Sequence, residues 1–173
     1  MTPLGHLSIS YLSGKAIPKI SMTGIIIGGI APDLDWLLYP FPFFNDIHRV
    51  ISHNVFFALL IALIGFLIVK KEHQLPITLG LILGVILHIF IDSIIDTNPS
   101  NGIGTAWFWP VVDKNYSPFN IASNSITYGL SWNGDFWKLA GISLKYFLVE
   151  VPFLLIAYYV LRKDGITGIY KLF

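Results

Sequence analysis

A histidine and an aspartate stand four residues apart in an otherwise apolar run, GVILHIFID at residues 84–92. Residues at this spacing share one face of a helix, so His88 and Asp92 can reach one ion together, or the carboxylate can orient the imidazole. Imidazole and carboxylate ligands suit zinc, and also manganese or iron. The pair therefore indicates a metal site; an ion pair between helices or a proton relay is the alternative.

The composition limits where such a site can lie. The chain has 173 residues, of which 54% are hydrophobic and only 12% are charged, whereas soluble domains carry about 25% charged residues. So little polar surface could not cover a water-soluble globule, and we expect a single membrane-embedded domain over residues 1–173. A net charge of +1 provides no basic field for nucleic acid. Because cysteine is absent, nitrogen and oxygen ligands must hold any metal.

Hydropathy predicts the elements that would position these residues. A membrane-spanning helix needs about 20 largely apolar residues. Four stretches approach that length, at residues 20–39, 54–69, 75–95 and 139–161, and a short N-terminal helix ending at Gly14 precedes them. We therefore expect an all-α fold, a polytopic membrane helical bundle with about four transmembrane helices plus the N-terminal helix.

The distribution of basic residues predicts the orientation of this bundle. An alternating path places seven basic residues on one side, the predicted cytoplasm, namely Lys15, Lys19, Lys70, Lys71, Arg162, Lys163 and Lys171. All five tryptophans fall on the other side, as an interfacial aromatic belt would. We expect a multi-pass protein of the cell (inner) membrane. The long outer loop at 96–138 is either a lid or binding loop, or an interfacial cap without a catalytic part.

On this topology, seven side chains from four segments reach one depth on the extracytoplasmic side. They are His6, Asp33, Asp35, His48, His53, His88 and Asp92. Seven candidate ligands exceed the needs of one tetrahedral zinc and suit two ions about 3.5–4 Å apart. Arg49 is placed either to hold a phosphate oxygen bidentately or to anchor the chain at the interface. His73 is expected to be a solvated bystander, and Glu150, near the middle of the last predicted span, has no assigned role.

Several short motifs occur together in a recognisable order. They are GHL at 5–7, APDLDW at 31–36, HRVISH at 48–53, LHIFIDSI at 87–94 and WFWP at 107–110. In order and spacing they resemble the YdjM-like family of membrane-bound metal-dependent hydrolases, some of which are under DNA-damage (LexA) control. The resemblance implies the same seven metal ligands. The chain departs from the family pattern at Trp36, where many members have histidine, and at Val50, Ser52 and Asn54, which replace Gly, Thr and Ser.

These observations lead to a functional hypothesis with open alternatives. The ligand types are similar to those of the zinc phospholipase C and single-strand nuclease group, which suggests a hydrolase cleaving a phosphoester of a lipid or membrane-proximal substrate. Asp35 or Asp33 would be a bridging ligand or a base, and Arg49 would contact the phosphate. A zinc-dependent lipid amidase is the first alternative, and a site that holds one metal ion rather than two would favour it. A metal carrier and a structural factor with a vestigial site are the others.

Overall fold

The computed structural model describes residues 1–96, 103–121 and 134–164. The helices are α1 (Pro3–Ala16), α2 (Met22–Ile30), α3 (Phe44–Ile47), α4 (Val55–Ile68), α5 (Gln74–Ile94) and α6 (Phe136–Asp164), with 3₁₀ segments at Ala31–Leu38 and Lys71–His73. Over these residues the backbone forms no strand, and a single isolated bridge joins Thr105 to Tyr116. The expected all-α class is confirmed for this part of the chain.

Polar residues at the helix starts fix where the apolar runs become helical. Thr2 accepts the Gly5 amide at the start of α1, over a distance of 3.2 Å, and Ser21 does the same for Gly24 at the start of α2. Asn54 accepts the Phe57 amide at 2.8 Å and so begins α4. Such caps satisfy amides that have no partner within the helix. The cap at Asn54 leaves the preceding histidine in the turn, just outside the helix.

Two described helices meet the length and hydropathy expected of a membrane span. One runs over Lys71–Ile94 and includes α5, and the other is α6, Phe136–Asp164. Helix α4 is apolar but shorter, with 14 residues, and α2 has nine residues before the chain tightens into the 3₁₀ segment. The stretch predicted as the first span is therefore a short helix followed by a 3₁₀ turn. Its span status, and hence the four-span topology, stays a prediction.

Glycines allow α2 and α5 to approach backbone to backbone. A Cβ at Gly84 would clash with the Ile25 carbonyl and lie 2.6 Å from the Gly29 nitrogen, and a Cβ at Gly28 would clash with Leu81. Only glycine permits such an approach. Helix α4 packs on α5 and α1 packs on α2. The C-terminal end of α2 is thus held against the middle of α5.

Helix α6 packs against α1, and polar contacts join the two helices at both ends. Near the start of α1, the buried Glu150 accepts the Thr2 amide at 2.7 Å and also the Thr2 hydroxyl. At the other end, Asp164 pairs with Lys15 and accepts the Tyr11 hydroxyl at 3.1 Å. The two helices therefore run parallel. Glu150, which had no assigned role in the sequence, stabilises the positive N-terminal end of α1.

Part of the long loop before α6 lies over the start of α4 and the end of α5. The Trp107 carbonyl accepts the Val55 amide at 2.9 Å, and the Ile121 amide donates to the Ile94 carbonyl at 3.0 Å. The Ser117 hydroxyl donates to the Ser93 carbonyl at 2.5 Å. Residues 103–121 therefore form a segment anchored on the helix ends. The parts of the predicted lid or cap at 97–102 and 122–133 lie outside the described residues, and its last three residues, 136–138, belong to α6.

Candidate metal centre

Four acidic and histidine side chains from three parts of the chain meet at one point. Asp33 follows α2, His53 precedes α4, and both His88 and Asp92 project from α5. Each offers one nitrogen or oxygen atom, and these four atoms all lie within 4.8 Å of one another. His53, His88 and Asp92 are at most 3% exposed, and Asp33 is 9% exposed. The α2–α5 packing and the Asn54 cap thus place the four donors together.

The distances between the donor atoms match those around a single ion. The Nε2 atoms of His53 and His88 are 3.2 Å apart, and each lies 3.5 Å from Asp92 Oδ2. Asp33 Oδ1 is 3.6 Å from His88 Nε2. With zinc–ligand bonds of about 2.1 Å, the donors of a tetrahedral site lie about 3.4 Å apart. The four measured separations are close to this value, and all four donor atoms lie within 4.8 Å of one another, so the group can hold one divalent cation.

Hydrogen bonding fixes which imidazole nitrogen faces this point. His88 Nδ1 lies 2.8 Å from the Gly29 carbonyl, which can only accept, so Nδ1 carries the proton. His53 Nδ1 lies 2.9 Å from the Ser52 hydroxyl, which itself donates to Asp35 at 2.7 Å. His53 Nδ1 must therefore donate as well. When both rings are neutral, their Nε2 lone pairs point at each other, and either a cation between them or a proton on one of them removes the repulsion.

Burial lowers the pKa of the His6 and His53 imidazoles. Desolvation lowers the pKa of His53 to about 4, even though the Asp92 carboxylate acts to raise it. The same cause lowers the pKa of His6 to about 4. Asp33 Oδ2 is buried without a hydrogen-bond partner among the described residues. Neutral nitrogen donors beside carboxylates are the form in which metal ligands bind.

The other three predicted ligands surround this group. His6 donates from Nε2 to Asp92 Oδ1 at 3.1 Å, and its ring stacks on that of His88 with the centroids 3.6 Å apart. His48 Nδ1 lies 3.0 Å from Asp35 Oδ1. Of the seven predicted ligands, the structure thus brings four to one point, places His6 against two of them, and pairs Asp35 with His48.

The side chain of Arg49, predicted as a phosphate ligand or an interfacial anchor, is 17% exposed and pairs with Asp96. Asp96 is fully buried, and its Oδ2 accepts the Gly104 amide at 2.7 Å. The Arg49 carbonyl also accepts the Ala106 amide at 3.3 Å. Arg49 has φ 65°, a left-handed conformation that is uncommon for a residue with a side chain. It therefore ties the 103–121 segment to the turn that carries His48 and His53.

Sequence reasoning missed two residues of this region. Ser52 bridges Asp35 and His53, and the only signal for it was a hydroxyl beside a candidate ligand. Asp96 was not predicted to pair with Arg49, because their partnership depends on how the loop folds back. His73, expected to be a bystander, is largely exposed and lies 4.0 Å from Glu72.

Comparison with known proteins identifies one related family. The sequence profile of the YdjM inner membrane protein family matches residues 1–164, which include all four grouped residues and the surrounding histidines. No curated protein and no solved structure matches the chain. The family description and the two long apolar helices together indicate a membrane protein.

Proposed function

The chain belongs to the YdjM inner membrane protein family, and we propose that it is a membrane-bound metal-dependent hydrolase. The observation that carries the proposal is the pair of buried imidazoles whose Nε2 atoms face each other at 3.2 Å beside two carboxylates. Zinc suits this set of two nitrogens and two oxygens, while manganese and iron accept the same ligand types.

Each residue of the group has a defined task in this proposal. His53, His88 and Asp92 hold the ion, and His6 orients Asp92 by donating to its second oxygen. Asp33 is the most exposed of the four. It serves as the fourth ligand, or as a base that accepts a proton from the attacking water. A bound divalent ion supplies Lewis acidity, polarising the substrate oxygen and making water more acidic.

The geometry favours one ion over the two expected from the number of candidate ligands. His6, Asp35 and His48 already hydrogen-bond to carboxylates or to each other. A second ion would have to replace those bonds. We therefore propose a single ion in the four-residue group, and the expectation of two ions stays a prediction that metal analysis tests.

We propose that the substrate is a lipid or a membrane-proximal molecule, with a phosphoester as the bond cleaved. Near the 3₁₀ segment and in the 103–121 segment, large apolar side chains are exposed, among them Trp36, Tyr39, Phe41, Phe43 and Phe108. Aromatic residues of this kind favour the membrane interface. They would keep acyl or prenyl chains in the bilayer while the headgroup enters the site. Arg49 would contact the phosphate only by exchanging its bond to Asp96.

A zinc-dependent lipid amidase is the second candidate. Two observations favour it: the donor distances fit one ion, and the Arg49 guanidinium is already paired with Asp96. Hydrolysis of an amide needs one Lewis acid to polarise the carbonyl, and it needs no arginine to bind a phosphate. The phosphoesterase and the amidase use the same four residues and differ in the bond that is cleaved.

A metal carrier receives less support. Such a protein needs polar groups along a path to the opposite face, and before His88 helix α5 is apolar except for Gln74 and Thr78. Glu150 is the residue that left a carrier possible from the sequence. Its carboxylate accepts hydrogen bonds from Thr2 at the start of α1. Its carboxylate therefore has a structural role.

We also propose that the chain crosses the membrane four times, with the site on the extracytoplasmic side. The C-terminal ends of α1 and α6 carry Lys15, Arg162 and Lys163, at the opposite end of the bundle from the metal group. With a rise of about 1.5 Å per residue, His88 and Asp92 lie about 21 and 27 Å along α5, close to the far side of a hydrocarbon core of about 30 Å.

A lipid screen tests the proposed reaction. Membrane lipids are incubated with zinc-loaded protein and analysed by mass spectrometry. We expect release of phosphate or a phosphorylated headgroup, abolished by a chelator and by His53→Ala or Asp33→Ala, and retained in the control His73→Ala. Fatty-acid release from amides, with phosphoesters untouched, would identify the amidase. Unchanged lipids together with metal crossing sealed vesicles would contradict a hydrolase and identify a carrier.

A further inference from the structure

Three side chains outside the four-residue ligand group form a continuous chain of hydrogen bonds that ends at His53, a member of that group. His48 Nδ1 contacts both Asp35 oxygens, at 3.0 and 3.1 Å. Asp35 Oδ2 accepts the Ser52 hydroxyl at 2.7 Å. The Ser52 oxygen in turn lies 2.9 Å from His53 Nδ1. The order is therefore His48, Asp35, Ser52, His53.

The direction of every hydrogen bond in this chain follows from Asp35. An ionised carboxylate can only accept, so both His48 and Ser52 must donate to it. The Ser52 hydroxyl has one proton, and once that proton points at Asp35 the oxygen can only accept from His53. His53 therefore carries its proton on Nδ1, and its Nε2 lone pair is directed at His88 and Asp92.

We propose that Ser52 and Asp35 are positioning residues that select the metal-binding tautomer of His53. This inference rests on the proposed metal-binding function. Metal-binding histidines usually have a partner on the other ring nitrogen, most often a carboxylate or a backbone carbonyl. His88 uses the Gly29 carbonyl for this purpose. For His53 the Asp35 carboxylate acts indirectly, through the Ser52 hydroxyl that lies between them.

The burial of these residues shows why His53 needs this chain of hydrogen bonds, called the relay below. His53 is fully buried and Ser52 is 6% exposed, so water has little access to fix the ring. The direct separation between His53 Nδ1 and Asp35 Oδ2 is 3.7 Å, too long for a hydrogen bond. Without the Ser52 hydroxyl, neither the orientation nor the tautomer of His53 is determined. Both Asp35 oxygens accept hydrogen bonds within the relay, which gives Asp35 a role other than ligand.

The variants follow from this direction of hydrogen bonding. Ser52→Ala removes the bridge, and Ser52→Thr keeps the hydroxyl. Asp35→Asn has the same shape, but its amide group can donate to Ser52, which frees the hydroxyl proton to point at His53 and places the ring proton on Nε2. A carboxylate-to-amide change of this kind can favour the wrong tautomer with the geometry intact. Ser8→Ala is the matched control, because the buried Ser8 hydroxyl bonds to the Leu4 carbonyl of its own helix.

Zinc affinity is measured by chelator competition on detergent-purified full-length protein, with thermal unfolding as the check on folding. Loss of an outer partner typically weakens metal affinity by about 10- to 100-fold. We expect losses of that size for Ser52→Ala and Asp35→Asn, and near-normal affinity for Ser52→Thr and Ser8→Ala. Ser52→Ala protein that is folded and binds zinc like the unmutated chain would overturn the inference.

A second readout does not depend on metal or activity. Nitrogen-15 NMR of histidine-labelled, metal-free protein distinguishes the two neutral tautomers of His53. We expect the proton on Nδ1 in the unmutated protein and on Nε2 in Asp35→Asn, which decides the matter even if Ser52→Ala fails to fold. A proton on Nε2 in the unmutated protein overturns the inference alone. Unmutated protein that binds no zinc instead overturns the proposed function, and the metal role of the relay with it.

Discussion

The seven candidate ligands have different roles in the structure, although their residue types alone did not distinguish them. The spacing of His88 and Asp92 predicted that the two side chains share a helix face, and in the structure they do. The sequence could not rank the other five, because their roles depend on contacts between distant parts of the chain, such as the Ser52 hydroxyl that joins Asp35 to His53. Residue types therefore predict the chemistry of the centre, while backbone geometry decides which atoms face it.

The ion pair between Arg49 and Asp96 gives a prediction about stability. Asp96→Ala leaves the buried guanidinium without its partner, and breaking a buried pair in this way costs about 3–5 kcal/mol. We expect a loss of that order in the free energy of unfolding in detergent. The control is Asp113→Ala, an exposed aspartate of the 103–121 segment, for which we expect a change within about 0.5 kcal/mol. Equal effects of the two substitutions would show that the Arg49 pair does not stabilise the fold.

At the scale of elements, the length of an apolar run predicted a helix well where no proline or charged residue interrupted the run. It predicted the helix less well where such residues did. Helices α4 and α5 begin and end within a residue of the predicted stretches at 54–69 and 75–95. The stretch at 20–39 was predicted as one span, but α2 ends at Ile30 and Pro32 stands in the first turn of the 3₁₀ segment. The tighter turn changes the direction of the side chains. It also brings Asp33 to His88, a contact that helical periodicity could not predict.

The glycine contact between α2 and α5 gives a prediction at this scale. Gly84→Ala places a methyl group against the Ile25 carbonyl and the Gly29 nitrogen, so the helices must move apart. Overpacking of this kind costs about 1–3 kcal/mol, and it would also displace the Gly29 carbonyl from His88. We expect lower thermal stability and weaker zinc binding.

Helix α6 offers the matched control for that substitution. A Cβ at Gly141 meets nothing within 4 Å, and Gly→Ala in a helix interior is otherwise favourable by about 0.5–1 kcal/mol. Gly141→Ala should therefore be neutral or slightly stabilising and should leave zinc affinity unchanged. If Gly84→Ala behaved in the same way, the close α2–α5 approach would not be what positions the site.

The contact between Glu150 and Thr2 predicts a separate effect on the packing of α6. Glu150→Ala leaves the Thr2 amide and hydroxyl without their acceptor, and an unsatisfied buried polar group costs about 1–3 kcal/mol. We expect reduced thermal stability, with the exposed Lys145→Ala on the same helix as control. A stable Glu150→Ala protein would reopen a transport role for this carboxylate.

At the scale of the whole molecule, the bundle has two chemically different ends. One end carries the pair between Lys15 and Asp164, and the other carries the metal group beneath the 103–121 segment. Composition and motif order predicted a membrane protein of this family, and the match over residues 1–164 confirms the family. The proposed sidedness follows from the excess of Lys and Arg at the first of these ends.

Cysteine labelling tests the proposed orientation directly, because the chain contains no cysteine. Asp113 and Glu72 are both exposed; Asp113 lies in the 103–121 segment, and Glu72 lies in the 3₁₀ segment between α4 and α5. In intact cells, a membrane-impermeant maleimide should label Asp113→Cys and spare Glu72→Cys. Labelling of Glu72→Cys alone would place the site on the cytoplasmic side.

The metal content of the purified protein tests the central claim most directly. Detergent-purified chain, reconstituted with zinc and freed of loosely bound ions, is analysed for metal per chain. We expect close to one ion in the unmutated protein and in His73→Ala, and a large loss in His88→Ala and Asp92→Ala, because four donors around one point fit a single tetrahedral ion. Unmutated protein that retains no zinc, manganese or iron after reconstitution would contradict the account.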